Sequence, residues 1–180
     1  MTSGGFSASE GSGGAPLIVT ALLPPELQSR MDALRREHFP PERNHLSAHV
    51  TLFQALPPSC EAELRQVLAR IVARNAPPMG RVEGVMSLGG GTAVRLASRA
   101  LLAIRDELAE HFEMLLTAQD QHRPRLHVTV QNKVPPKEAK ALQASLSPQL
   151  RPQDFRFVGL ALHAYCGGPW RHLKSWSFRG

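Results

Sequence analysis

The sequence predicts an α+β chain: a duplicated strand-helix-strand-helix-strand unit forming two pseudo-twofold lobes with a central groove between them. Three observations lead to that expectation. Short apolar runs rich in β-branched residues alternate with stretches of helical periodicity. The same order of elements occurs over residues 17–88 and again over 92–165, a duplicated unit and not a short-period solenoid. The chain of 180 residues, 42% hydrophobic and 20% charged, has the size and composition of one globular domain with a real core.

The elements follow in order. Leu17 to Leu23 (LIVTALL) is a short apolar run containing Ile18, Val19 and Thr20 and closed by Pro24 and Pro25, which suits a buried strand. Pro25 fits the first turn of a helix in which Leu27, Met31 and Leu34 recur at i, i+4 and i+7 as far as His38, before Pro40 and Pro41 stop it. Ala48 to Leu56 is the next strand. Ser59 is placed to cap a helix with Glu61 and Glu63 near its positive end and an apolar stripe of Leu64, Val67, Leu68, Ile71 and Val72, ending near Asn75. Arg81 to Leu88 and Thr92 to Leu96 are strands joined by a hairpin turn at Gly89, Gly90 and Gly91; no Gly-Lys-Ser/Thr follows, so this run is not a phosphate loop. In the second unit Ser98 caps the longest expected helix, marked by Leu101, Ile104, Leu108, Phe112 and Leu115. Arg125 to Gln131 is a strand, and Pro135 and Pro136 open a helix carrying Ala139, Leu142 and Leu146. Phe155 to Tyr165 is a strand, followed by a turn at Gly167, Gly168 and Pro169 and a last strand to Phe178.

Composition narrows the function classes. The longest apolar stretch, Leu17 to Leu23, is far short of the roughly 20 residues that span a bilayer, so no membrane partner is expected. Residues 1–16 (MTSGGFSASEGSGGAP) have neither a basic start nor an apolar segment; they read as a flexible tail ahead of a single domain over 17–180, and a cytoplasmic location is the default. Cys60 and Cys166 are expected to be reduced and unpaired, and the chain is expected to be a monomer. The net charge of +6 is unevenly spread: residues 1–120 hold 11 basic and 13 acidic side chains, residues 121–180 hold 10 basic and only Glu138 and Asp154. Such clustering favours an anionic partner, a phosphate ester or nucleic acid.

The duplication puts corresponding middle strands at His49-Val50-Thr51-Leu52 and His127-Val128-Thr129-Val130, each containing His-x-Thr. Because side chains alternate along a strand, His49 shares a face with Thr51, and His127 with Thr129. Same-face neighbours lie roughly 7 Å apart, so an imidazole and a hydroxyl can converge on one phosphate. In-line displacement at a phosphodiester needs one group to take a proton from the attacking oxygen and another to protonate the leaving oxygen. Histidine suits both tasks near neutral pH, and either copy can be the base. Thr51 and Thr129 would donate to the non-bridging oxygens as charge shifts, and no metal is required in principle.

These paired H-V-T segments, together with Gln119-Asp120, the run Val128 to Val134 (VTVQNKV) and Gly167-Gly168-Pro169-Trp170, resemble the 2H phosphoesterase superfamily, in particular its bacterial 2′-5′ RNA ligase or RNA cyclic phosphodiesterase branch. Leu126 stands where proline often precedes the second motif. The resemblance implies a LigT-like fold with a central groove and His49, Thr51, His127 and Thr129 as the catalytic set. It also implies action, without metal or other cofactor, on 2′,3′-cyclic phosphates or 2′-5′ linked ends of RNA or a small nucleotide. Hydrolysis, 2′-5′ ligation and non-catalytic RNA binding are the readings to separate.

Other candidates are weaker. His45 and His49, four residues apart, would be about 13 Å apart on an extended chain, too far to share an ion. His38, His111, His122, His163 and His172 are expected at the surface or as caps. Arg125, two residues before His127, is a candidate phosphate clamp. Six of the ten aromatic residues fall between Phe155 and Phe178, mostly as core, with Tyr165 singled out as a groove contact beside the flexible Gly-Gly.

Overall fold

The computed structural model describes residues 14–180. Residues 1–13 of the expected tail lie outside the described residues, whereas the Pro16 carbonyl is already tied down, accepting from the Tyr165 N–H at 2.8 Å. The order of elements is β1 (Leu17–Leu22), α1 (Pro25–His38), β2 (Val50–Leu56), α2 (Glu61–Arg74), β3 (Met79–Ser87), β4 (Thr92–Ala97), α3 (Arg99–His111), β5 (His127–Gln131), α4 (Pro136–Leu146), β6 (Gln153–Arg156), β7 (Gly159–Tyr165) and β8 (Trp170–Ser177). Among the described residues no helix is long and apolar enough to cross a membrane.

The strands form two four-stranded antiparallel sheets, ordered β2-β1-β7-β8 and β5-β4-β3-β6. Each unit therefore keeps its first two strands together and sends its last to the other sheet. β3 leaves the first unit to pair with β4, and β7 leaves the second to pair with β1. This exchange makes the two halves one body. The helices complete it: α2 packs on β7 and β8, α3 and α4 on β3, and α1, which follows β1, packs across on β5 of the opposite sheet.

Local chemistry accounts for most boundaries. Pro25 and Pro136 open α1 and α4, where a missing N–H costs nothing. Ser98 caps α3 as expected, its Oγ accepting from the Leu101 N–H at 3.1 Å while donating to the Met79 carbonyl at 2.6 Å. The triple glycine is the β3–β4 hairpin turn, with Gly89 at φ +77°.

Three expectations need correction. α2 starts at Glu61 after a 3-10 turn over Pro58–Cys60, so Cys60 and not Ser59 occupies the cap position, without a side-chain hydrogen bond. α3 is not the longest helix; it ends at His111, and the chain turns through another 3-10 segment at Glu113–Leu115 while Phe112 is buried. The strand expected over Phe155 to Tyr165 is two strands in different sheets. The Phe157 N–H bonds the Pro78 carbonyl and the next N–H, of Val158, bonds the Leu22 carbonyl, each at 2.9 Å, so the handover takes one residue step. Phe157 is wholly buried at this crossing.

Gly159 opens β7 just past the crossing, and a Cβ there would lie 2.2 Å from the Trp176 carbonyl oxygen. Neither backbone can yield without breaking the β7–β8 ladder. Gly159→Ala is therefore expected to cost about 1–3 kcal/mol by overpacking. Urea unfolding checks this: the midpoint falls with an unchanged slope, and an unaltered midpoint would contradict the close approach.

Candidate active site

The two motif strands, β2 and β5, are the edge strands of their sheets and lie beside each other across the cleft. His49 sits one residue ahead of β2 and His127 opens β5. The alternation holds: Ala48, Val50, Leu52, Leu126, Val128 and Val130 are buried, while His49, Thr51, His127 and Thr129 are half-buried. All four, with Arg125, line one cleft of about 370 Å³.

Both halves position their motif by the same device. Thr51 pairs with Thr20 and Phe53 with Val19, which leaves Leu52 as an extra residue; Thr129 pairs with Ala93 and Gln131 with Thr92, which leaves Val130 as an extra residue. A bulge thus follows each motif threonine, ending the regular alternation where the strand leaves the cleft. The imidazoles are also held alike. Nδ1 of His49 lies 2.8 Å from the Ser47 carbonyl and Nδ1 of His127 lies 2.6 Å from the Arg125 carbonyl. A carbonyl can only accept, so each Nδ1 carries the proton and each Nε2 is left for a ligand.

Their surroundings differ. The Trp170 ring lies against His49, centroids 4.5 Å apart. Burial pushes the His49 pKa below the ordinary histidine value; the bond to Ser47 works in the opposite direction, and the positive charges of Arg35 and His127 add to the lowering. His49 is thereby biased toward its neutral form.

As edge strands, β2 and β5 each expose backbone groups that no ladder satisfies. Buried side chains reach them from the opposite unit. Arg35 of α1 donates to the Thr129 carbonyl at 2.9 Å and to Asn44 at 3.1 Å. Arg105 of α3 donates to the Leu52 carbonyl at 3.4 Å and to the Asp120 carbonyl. The Asp120 carboxylate accepts from the N–H groups of Gln54, at 2.9 and 3.0 Å, and Ala55, at 3.0 Å. Sequence reasoning missed both arginines, although a signal was there. Leu27, Met31 and Arg35 fall at i, i+4 and i+8, and Leu101 and Arg105 at i and i+4, so each arginine lies on its helix's apolar stripe.

Arg125 reaches the cleft, joined there by Arg123 and by His122, for which the sequence suggested only a surface or cap role. Tyr165 pairs in register with Trp170 but is 45% exposed and is not among the residues lining the cleft. His163 is no surface group: half-buried on β7, it bonds Thr20 Oγ1 through Nε2 at 3.2 Å and lies 5.5 Å from the Trp170 ring. His111 pairs with Glu63 at 2.8 Å, away from the cleft. Among the described residues, no three His, Cys, Asp or Glu side chains converge closely enough to hold a metal ion.

Comparison with known proteins adds the family. A profile of the 2′-5′ RNA ligase superfamily matches residues 23–169. No curated protein matches the chain. Among solved structures, TT0787 of Thermus thermophilus aligns with a TM-score of 0.62 at 18% identity, covering 92% of this chain and 98% of that one. LigT of E. coli complexed with 3′-AMP aligns at 0.56 and 17% identity, covering 93% and 99%. The same protein complexed with phosphate aligns at 0.52 and 20% identity, with the same coverage. At these identities the likeness establishes the fold.

Two measurements check the site. The His49 ring proton, followed by NMR, titrates at a lower pH than free histidine; Trp170→Ala re-exposes the ring to water and raises that midpoint, and an unchanged midpoint would remove Trp170 as the source of burial. Asp120→Ala strands the Gln54 and Ala55 N–H groups and is expected to cost roughly 1–3 kcal/mol in urea unfolding.

Proposed function

Because the chain belongs to the 2′-5′ RNA ligase superfamily, we propose that it is a phosphodiesterase that opens 2′,3′-cyclic phosphates at an RNA end or in a small nucleotide. The observation that carries this reading is the matched pair of imidazoles, each with Nδ1 locked on a carbonyl and Nε2 free, on opposite walls of one cleft. Residues 17–180 act as one bilobal catalytic domain.

The chemistry follows from the pair. One Nε2 removes a proton from water as its oxygen attacks phosphorus. The opposite imidazolium gives its Nε2 proton to the 3′ oxygen as the P–O3′ bond breaks, leaving a 2′-phosphate and a 3′-hydroxyl. The two histidines have then exchanged protonation states, and solvent restores them. Thr51 and Thr129 donate to the non-bridging oxygens, where negative charge grows in the transition state. Arg125 and Arg123 supply positive charge to the phosphate side of the cleft. The side chains supply proton transfer and hydrogen bonding to the displacement at phosphorus, and the reading calls for no metal. The superfamily's name makes ligation the second reading: a 5′-hydroxyl attacking in place of water, with the same P–O3′ bond breaking, would join a cyclic end into a 2′-5′ bond.

Hydrolysis of a cyclic-phosphate-ended oligonucleotide in EDTA tests this. Wild type is active, and His49→Ala and His127→Ala each lower kcat by about 10²–10⁴. Full activity in either variant defeats the reading. Formation of a 2′-5′ bond from half-molecules at high concentration would favour ligation.

A further inference from the structure

Trp170 forms part of the wall of the cleft that holds the two motifs. A second cavity of about 640 Å³ lies beyond it, and His49 and Trp170 line both. The two spaces therefore meet at the imidazole proposed to flank phosphorus. Their chemistry is opposite. The first contains Arg105, Arg123 and Arg125; the second has no arginine or lysine in its lining.

The walls of the second cavity are aliphatic and aromatic with a few polar groups and a single carboxylate. His163 and His172 stand with ring centroids 5.4 Å apart. Burial, followed by the neighbouring His172 and His49, pulls the His163 pKa down to about 4, so this ring recognises ligands by hydrogen bonding and stacking and not by charge. Its one carboxylate, Asp32, is already committed to the Ala48 N–H at 2.7 Å and the Gln28 amide at 3.1 Å. Ser175 bonds His172 at 2.8 Å and is exposed at the rim. A space of this size, walled by tryptophan, imidazole rings and aliphatic side chains and holding no arginine or lysine, matches a flat heteroaromatic base with a hydroxylated sugar better than a phosphate.

We infer that the cavity beyond Trp170 is a subsite for a phosphate-free nucleoside, attached to the scissile phosphate on the side away from Arg123 and Arg125. The inference rests on the reading of the histidine pair as the phosphate site. It means that diesters with a nucleoside on each side of phosphorus use both spaces, while a cyclic mononucleotide leaves one empty.

Free adenosine and inorganic phosphate are the probes, followed by NMR of the histidine rings in the full chain. Adenosine is expected to shift His163 and His172, and phosphate to shift His127. Ser175→Trp, on the exposed rim, fills the cavity; it weakens adenosine by about tenfold or more while phosphate affinity stays within about twofold. His172→Ala, which trims an exposed ring, weakens adenosine about threefold or more. The ratio of kcat/KM for a 2′-5′-linked dinucleoside monophosphate over 2′,3′-cyclic AMP falls about tenfold or more in Ser175→Trp. Adenosine that binds both variants as it binds wild type, that shifts only His122 and His127, or that does not bind overturns the subsite, as does an unchanged ratio. Adenosine binding as expected in a protein that cleaves neither diester would support the subsite and count against the phosphodiesterase reading alone.

Discussion

The site depends on how the outer edges of two short strands are satisfied. β2 and β5 each pair on one side only, and their free edges must meet hydrogen-bond partners or water. Here the partners are buried side chains from the opposite unit: Arg35 on the Thr129 carbonyl and Arg105 on the Leu52 carbonyl. The Asp120 carboxylate, three residues from Arg123, covers two N–H groups of β2. These links cap each edge against further strand pairing and tie the motif strands to the opposite unit. A buried guanidinium is costly, and multiple polar contacts plus an aromatic face reduce that cost; Arg35 lies over Phe39 at 4.2 Å and Arg105 over Phe53 at 4.4 Å.

Given that frame, the histidines need little else. The same carbonyl lock, two residues upstream, sets the same tautomer in both units. Duplication thus supplies equivalent imidazoles, and packing then makes them unequal. Trp170 comes from β8, which joins only the first sheet, so it shields His49; among the described residues no aromatic ring pairs with His127 in the same way. The same tryptophan stands between the space lined by arginines and the one that has none.

Much of the site was legible because strand alternation is a local rule. His49 with Thr51, and His127 with Thr129, share faces for the same reason that Val50 and Val128 are buried. Arg125 follows the same rule and reaches the cleft. Tyr165 obeys the alternation too, yet the rule says nothing about how far along a strand a groove extends, and the lining passes to Trp170 instead. The place of His163 was not legible, because its value lies in what faces it, Thr20 and Trp170, neither adjacent in sequence.

Prolines, caps and apolar periodicity, each acting over a few residues, determined the helices, most strands and the duplicated order. The break at Phe157, the exchange of β3 and β7 between sheets and the two arginine links were decided only when distant segments met. A residue's neighbours along the chain set its backbone preference. Which edge it satisfies depends on the groups that burial brings beside it.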